Sequence, residues 1–144
     1  RVHGLSVSAV ARRSELVARV SVVSADTLEH LLANGDVDQF PRYSVRVNEI
    51  LKGSAPDAIQ VVSLSRGAEA WNTMLPFELK AGETWYLFLR SRALPEIGDK
   101  KIYTTTAGRW SAYLVHGDSL LERRELPSAY TVQLLERDVK AAGQ

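Results

Sequence analysis

The stretch RYSVRVNEILKG, residues 42–53, constrains the fold more than any other part of the chain. Tyr43, Val45 and Val47 alternate with Arg42, Ser44, Arg46 and Asn48, the period-two pattern of a strand with one buried face. The rhythm fails at Glu49, and Ile50-Leu51 arrive in the opposite phase just before Lys52-Gly53. One extra residue in a strand of an antiparallel pair shifts the phase in this way and bends the strand. Small barrels need such bends, because their long strands must curve sharply to close. The segment is therefore expected to be a continuous, kinked strand of a closed barrel, bulged at Asn48-Glu49, with Tyr43, Val45 and Val47 inside. The competing reading ends the strand at Asn48 and makes 49–53 a turn, which leaves Ile50 and Leu51 in water.

A second strand narrows the architecture further. ETWYLFLR, residues 83–90, is apolar on both faces, with Trp85, Leu87 and Leu89 on one and Tyr86 and Phe88 on the other. Such a strand requires cover on both sides. Helices are expected near the two ends of the chain. SVSAVARRSE reads as a short helix capped by Ser6 or Ser8, with Val7, Val10 and Ala11 inward. Pro127 and Ser128 open a helix running to about Ala142, with apolar Val132, Leu135 and Val139 at helical spacing.

Between these lie further strands: ELVARVSVV with Ala18, Val20 and Val22 on one face, then AIQVVSLS, KIYTTT, RWSAYLV and SLLER. Turns are expected at Ala107-Gly108 and at His116-Gly117-Asp118. ADTLEHLLANGD reads as an inserted helix. Asp26 and Glu29 have capping-box spacing, Leu28, Leu31 and Leu32 form a stripe, and Gly35 stands at the C-terminal cap. RGAEAWNTMLPFELKAG is a long irregular connection. The 144 residues suit one domain, 1–144. The expected fold is mainly β with flanking helices (α+β): a small barrel of five to six strands over about 15–121 and a C-terminal helix over about 128–142.

The succession SELVARVSVV, RYSVRVNEILKG, IQVVSL, FELKAGETWYLFL and KIYTTTAGRW resembles the netrin-like module over roughly residues 5–116. That module includes the N-terminal domain of tissue inhibitors of metalloproteinases, and cysteine-poor relatives occur in bacterial extracytoplasmic proteins. The resemblance implies an OB-type five-stranded Greek-key barrel flanked by helices and a secreted, periplasmic or cell-envelope location. It also places segment 24–41 at the family's variable first strand-to-strand loop, a contact surface. The family's inhibitors chelate a catalytic zinc through an N-terminal cysteine. Here the first residue is Arg1, residues 1–4 offer no substitute and no cysteine exists, so inhibition by that route is not expected. A chain beginning at Arg1 rather than Met fits either a removed signal peptide or an omitted leader.

Chemistry is sparse. Without cysteine there are no disulfides, thiolate metal sites or thiol nucleophiles. His3, His30 and His116 lack a second ligand at metal spacing, so neither metal nor cofactor is expected. GxSxG is absent, and Ser63 and Ser65 flank an apolar strand residue. Glu122 and Glu125 sit among Arg123 and Arg124 as solvated charges, while Gly53, Gly67, Gly82 and Gly98 are isolated turn glycines. The chain is read as non-catalytic, with an enzyme built on a hidden pocket as an alternative. No apolar run approaches the roughly 20 residues that span a bilayer.

Binding is the leading expectation. A single-stranded nucleic-acid site could combine Arg42 and Arg46 with Arg90, Arg92, Lys100, Lys101 and Arg109, and use Tyr103, Trp110 and Tyr113 as stacking platforms. The formal charge of +1 and the acidic run Asp26, Glu29, Asp36 and Asp38 disfavour it. A protein partner is favoured, held by loops 24–41 and 65–82. Trp71 is expected to plug one barrel end, the alternative being an exposed anchor for a partner. The candidate binding residues are Arg42, Arg46, Trp71, Arg109 and Trp110.

Overall fold

A computed structural model describes residues 6–66, 70–93 and 101–143. His3, Gly67, Gly98, Lys100 and the N-terminal residues 1–4 fall outside this set. The chain forms α1 (Val7–Arg13), β1 (Leu16–Leu31), β2 (Val37–Lys52), β3 (Ala58–Val62), α2 (Ala70–Thr73), β4 (Thr84–Ala93) and β5 (Lys101–Thr105). A 3-10 turn (Gly108–Ser111) leads into β6 (Ala112–His116), β7 (Ser119–Glu122), β8 (Leu126–Thr131) and α3 (Val132–Ala142).

Five strands close the barrel. β1 pairs antiparallel with β2 and β4, β2 with β3, and β4 with β5, while β3 and β5 complete the ring in parallel. β4 also carries β6 beside its first half, and β7 and β8 extend the sheet beyond the ring. This is the expected OB-type barrel with a short N-terminal and a C-terminal helix.

The register slip in β2 is real and double. Arg19 pairs with Glu49 and Val20 with Val47, leaving Asn48 unopposed; Val17 pairs with Lys52 and Ala18 with Ile50, leaving Leu51 unopposed. Tyr43 and Val45 are buried inside the barrel and Val47 packs against the same cluster. The bulges turn Leu51 toward the helices, where it is half-buried. Ile50 stays 39% exposed, so of the two apolar residues after the slip only Leu51 gains cover from it.

β4 divides the core as its sequence demands. Trp85, Leu87 and Leu89 fill the barrel with Leu16, Ala18 and Val20. Tyr86 and Phe88 face outward into a second cluster with Val7, Val10, Tyr113, Leu135 and Val139. Each such side chain removed from water stabilises the fold by roughly 1.5–3 kcal/mol. Helix α1 is capped by Ser6, whose Oγ accepts from Ala9 N at 3.1 Å. Tyr86 Oη donates to Glu136 of α3 at 2.5 Å and accepts from Arg19 at 3.3 Å, which staples the last helix to the barrel. Burial, followed by the Glu136 hydrogen bond, pushes the Tyr86 phenol up to about 12.

Two expected helix assignments are corrected. Residues 25–36 are not helical: β1 continues to Leu31 and forms a hairpin arm with the first half of β2, turning at Asn34-Gly35. A brief isolated helix is marginal, whereas each residue added to an existing ladder gains a cross-strand partner. The leucines confirm the strand period. Leu28 is buried opposite Phe40, while Leu31 is 69% exposed. At the C-terminus, 126–131 form edge strand β8, which tolerates Pro127, and α3 starts after Thr131. Thr131 is the better cap because its Oγ1 accepts from Leu134 N at 3.2 Å and Asp118 O receives Val132 N.

Candidate functional site

The described part of the 65–82 connection from Ala70 onward lies at one end of the barrel and is pinned there by polar contacts to the body. Leu64 N donates to Thr73 O at 2.9 Å, and Thr73 Oγ1 donates to Leu64 O at 2.6 Å. Leu75 N donates to the buried Ser63 Oγ at 2.9 Å, and Thr105 Oγ1 donates to Asn72 O at 2.6 Å. Beneath α2 lies Gly108, with φ +57°, so close that a Cβ there would sit 2.4 Å from Trp71 O. Only glycine fits that approach.

On this clamped turn Trp71 is 86% exposed, which overturns its expected role as a plug. Leu75 and Leu79 close the barrel end instead, and Phe77 stacks on Trp85 with centroids 5.4 Å apart. The reason is steric and directional. α2 is a single turn whose buried residue is Thr73, so Trp71, two positions earlier, projects away from the body. Trp71 therefore stands in water on backbone held by the Asn72, Thr73 and Gly108 contacts.

The other candidates separate into distinct places. Arg109 and Trp110 lie on the 3-10 turn that α2 rests upon, with the Arg109 guanidinium 4.4 Å from the Trp110 ring centroid. Trp71, Arg109 and Trp110 thus come from two touching elements at one barrel end. Arg42 is committed elsewhere, in a two-pronged pair with Asp26 at 2.8 and 2.6 Å. The hydrogen bond to Arg42 holds the Asp26 carboxyl below its ordinary range and raises the guanidinium in turn. Arg46, on the same β2 face, lines a groove of about 910 Å³ between β2, β3 and β5. No motif in the chain announces such a groove. It arises where β3 and β5 diverge and where a bulge in β1 leaves Val23 unopposed between Val22 and Ser24. The adjacent pair Val22-Val23 is the one trace of it in the sequence.

Tyr103 and Tyr113 are buried and offer no face for base stacking. The groups with raised phenol pKa values on the outer face, Tyr86 and Tyr113, both displaced chiefly by burial, line neither this groove nor the small polar recess beside α2. Among the described residues, no group of three or more His, Asp or Glu is placed to hold a metal, and no helix is long and apolar enough to cross a membrane. No family model matches the sequence, and no curated protein matches it significantly.

Proposed function

We propose that this domain is a non-catalytic protein-binding module that works outside the cytoplasm and grips its partner at the barrel end bearing Trp71, Arg109 and Trp110. One observation carries the reading: a tryptophan 86% exposed on a turn whose neighbours are fixed by buried hydrogen bonds. Holding that backbone in advance lowers the ordering cost of association, and tryptophan and arginine contribute most often to interface hot spots. The extracytoplasmic location is supported by the resemblance to the netrin-like module alone.

The test is a photo-crosslinking amino acid placed at Asn72 in the whole chain, compared with one at the exposed Gln133 of α3. A single protein crosslinked from cell-envelope extract at the first position and absent at the second is then purified. Trp71→Ala is expected to weaken that partner by at least about tenfold, a loss of about 1.4 kcal/mol, with unchanged melting. Equal affinity of the variant and the parent would sink the reading. So would quenching of tryptophan by single-stranded oligonucleotide with steep salt dependence, which belongs to nucleic-acid binding.

A further inference from the structure

We propose that the groove between β3 and β5 is a second docking site, which takes an extended acidic peptide from a partner protein as an added strand. It goes beyond the Trp71 reading and stands or falls separately from it.

Among the described residues, the backbone of β3 is open on one side over its first half. Val47 N donates to Asp57 O at 2.8 Å and Ser63 N to Pro41 O at 2.9 Å, at the two ends of the β2–β3 ladder. Groups facing one neighbour recur at every second residue, so odd-numbered β3 residues bond to β2 and Ala58, Gln60 and Val62 point away. On that side β5 runs parallel and meets β3 at one position among the described residues, Val61 with Tyr103. A bridge there engages Gln60 O and Val62 N. Among the described residues no strand but β2 pairs with Ala58 or Gln60, so both backbone groups of Ala58 and the Gln60 N–H face the groove, as strand addition requires.

Charge and shape select the occupant. Arg46 and Lys101 are exposed on the groove walls, and among the described residues no Asp or Glu lines it. Arg46 has no ion pair among the described residues; Lys101 lies 5.7 Å from the Tyr103 ring centroid. Apolar surface comes from Ala55, Ile59, Tyr103 and the bulged Val23, itself 56% exposed. A strand presents its side chains to alternate faces, so carboxylates toward Arg46 and Lys101 and aliphatic groups toward the floor describe an acidic-aliphatic alternating peptide. An oligonucleotide finds the cations but no exposed ring to stack on.

The probe is a short fluorescein-labelled peptide alternating glutamate with valine, titrated into the whole chain at low salt and read by polarisation. It is expected to bind, with the lysine-for-glutamate peptide and a backbone N-methylated copy each at least about tenfold weaker. Arg46→Glu with Lys101→Glu is expected to weaken it similarly, and Trp71→Ala to leave it unchanged. Binding should slow hydrogen exchange at the Ala58 and Gln60 amides. Failure of the acidic peptide to bind, equal binding of the lysine or N-methylated peptides, or protection at another edge would each overturn the proposal. Tighter binding of a single-stranded oligothymidine would overturn it too, by assigning the groove to phosphate.

Discussion

Residues 24–41 and residues 65–82 both leave the barrel between strands, and they hold their shapes by opposite means. The first is an arm whose two halves bond to each other from Ser24 opposite Ser44 to Leu31 opposite Val37. Its base is tied to the barrel by a buried cluster of Leu28 and Phe40 with Val62, Leu64 and Ile102, and it also carries the exposed ion pairs Asp26–Arg42 and Asp38–Arg66. Among the described residues the second has no ladder, and it is fixed by its flanking residues Ser63, Leu64 and Glu83 and by the distant Thr105 and Gly108. The difference teaches where precision comes from. Ladder bonds within one hairpin are local and leave the tip free to open, whereas long-range buried bonds tie a segment to global stability.

Four substitutions break or sharpen that contrast. Gly108→Ala is expected to have the largest effect, since it adds a Cβ 2.4 Å from Trp71 O at a left-handed φ. It should cost about 2–4 kcal/mol by denaturant titration and shift the Trp71 emission. Wild-type stability would show that α2 is not clamped after all.

Glu83→Gln comes next. Burial pushes the Glu83 carboxyl up, but its hydrogen bonds with Arg124 and from Lys80 N outweigh this and leave it lowered. Its Oε1 accepts from Arg124 at 2.8 Å and from Lys80 N at 2.7 Å. A carboxylate with a depressed folded pKa stabilises above its unfolded value, about 4.3, and loses that contribution as pH falls through the folded value. The variant should therefore be about 1–2 kcal/mol less stable at neutral pH, and the gap should close below about pH 4. A gap constant with pH would remove the ion pair from the explanation.

Gly35→Ala probes the arm. Gly35 has φ +92°, and a Cβ placed there would meet nothing within 4 Å, so the cost is backbone strain alone, about 1 kcal/mol. Faster hydrogen exchange should be confined to the arm; a change spreading to β4 would show that arm and barrel open together. Asp26→Asn should have the least effect. The pair is exposed, and its removal should leave the melting temperature within error of wild type at physiological salt.

Much of the barrel was legible because alternation is a local property. The inward set Tyr43, Val45 and Val47, the two faces of β4 and the bulge after Val47 all follow from which neighbours are apolar. The caps were partly legible. Ser6 stands directly before its helix, but Thr131 lost to Pro127-Ser128 as a start signal because a proline can equally sit in an edge strand. Of the candidate site, the residues were legible and their grouping was not. Arg42 and Arg46 look equivalent along the chain, yet one is bound to Asp26 and the other lines the groove.

The sequence by itself determined the periods, and with them which side chains share a face, since that depends on neighbours two to four positions apart. Tertiary structure decided how far β1 extends, that Trp71 faces water and that β3 and β5 part to form a groove. Each of those outcomes depends on groups far apart in the chain: Leu28 and Phe40 against Val62, Leu64 and Ile102, Gly108 under Trp71, and Val61 beside Tyr103. Local propensity carries no information about such meetings, and their energies exceed the small preferences that favoured a helix at 25–36.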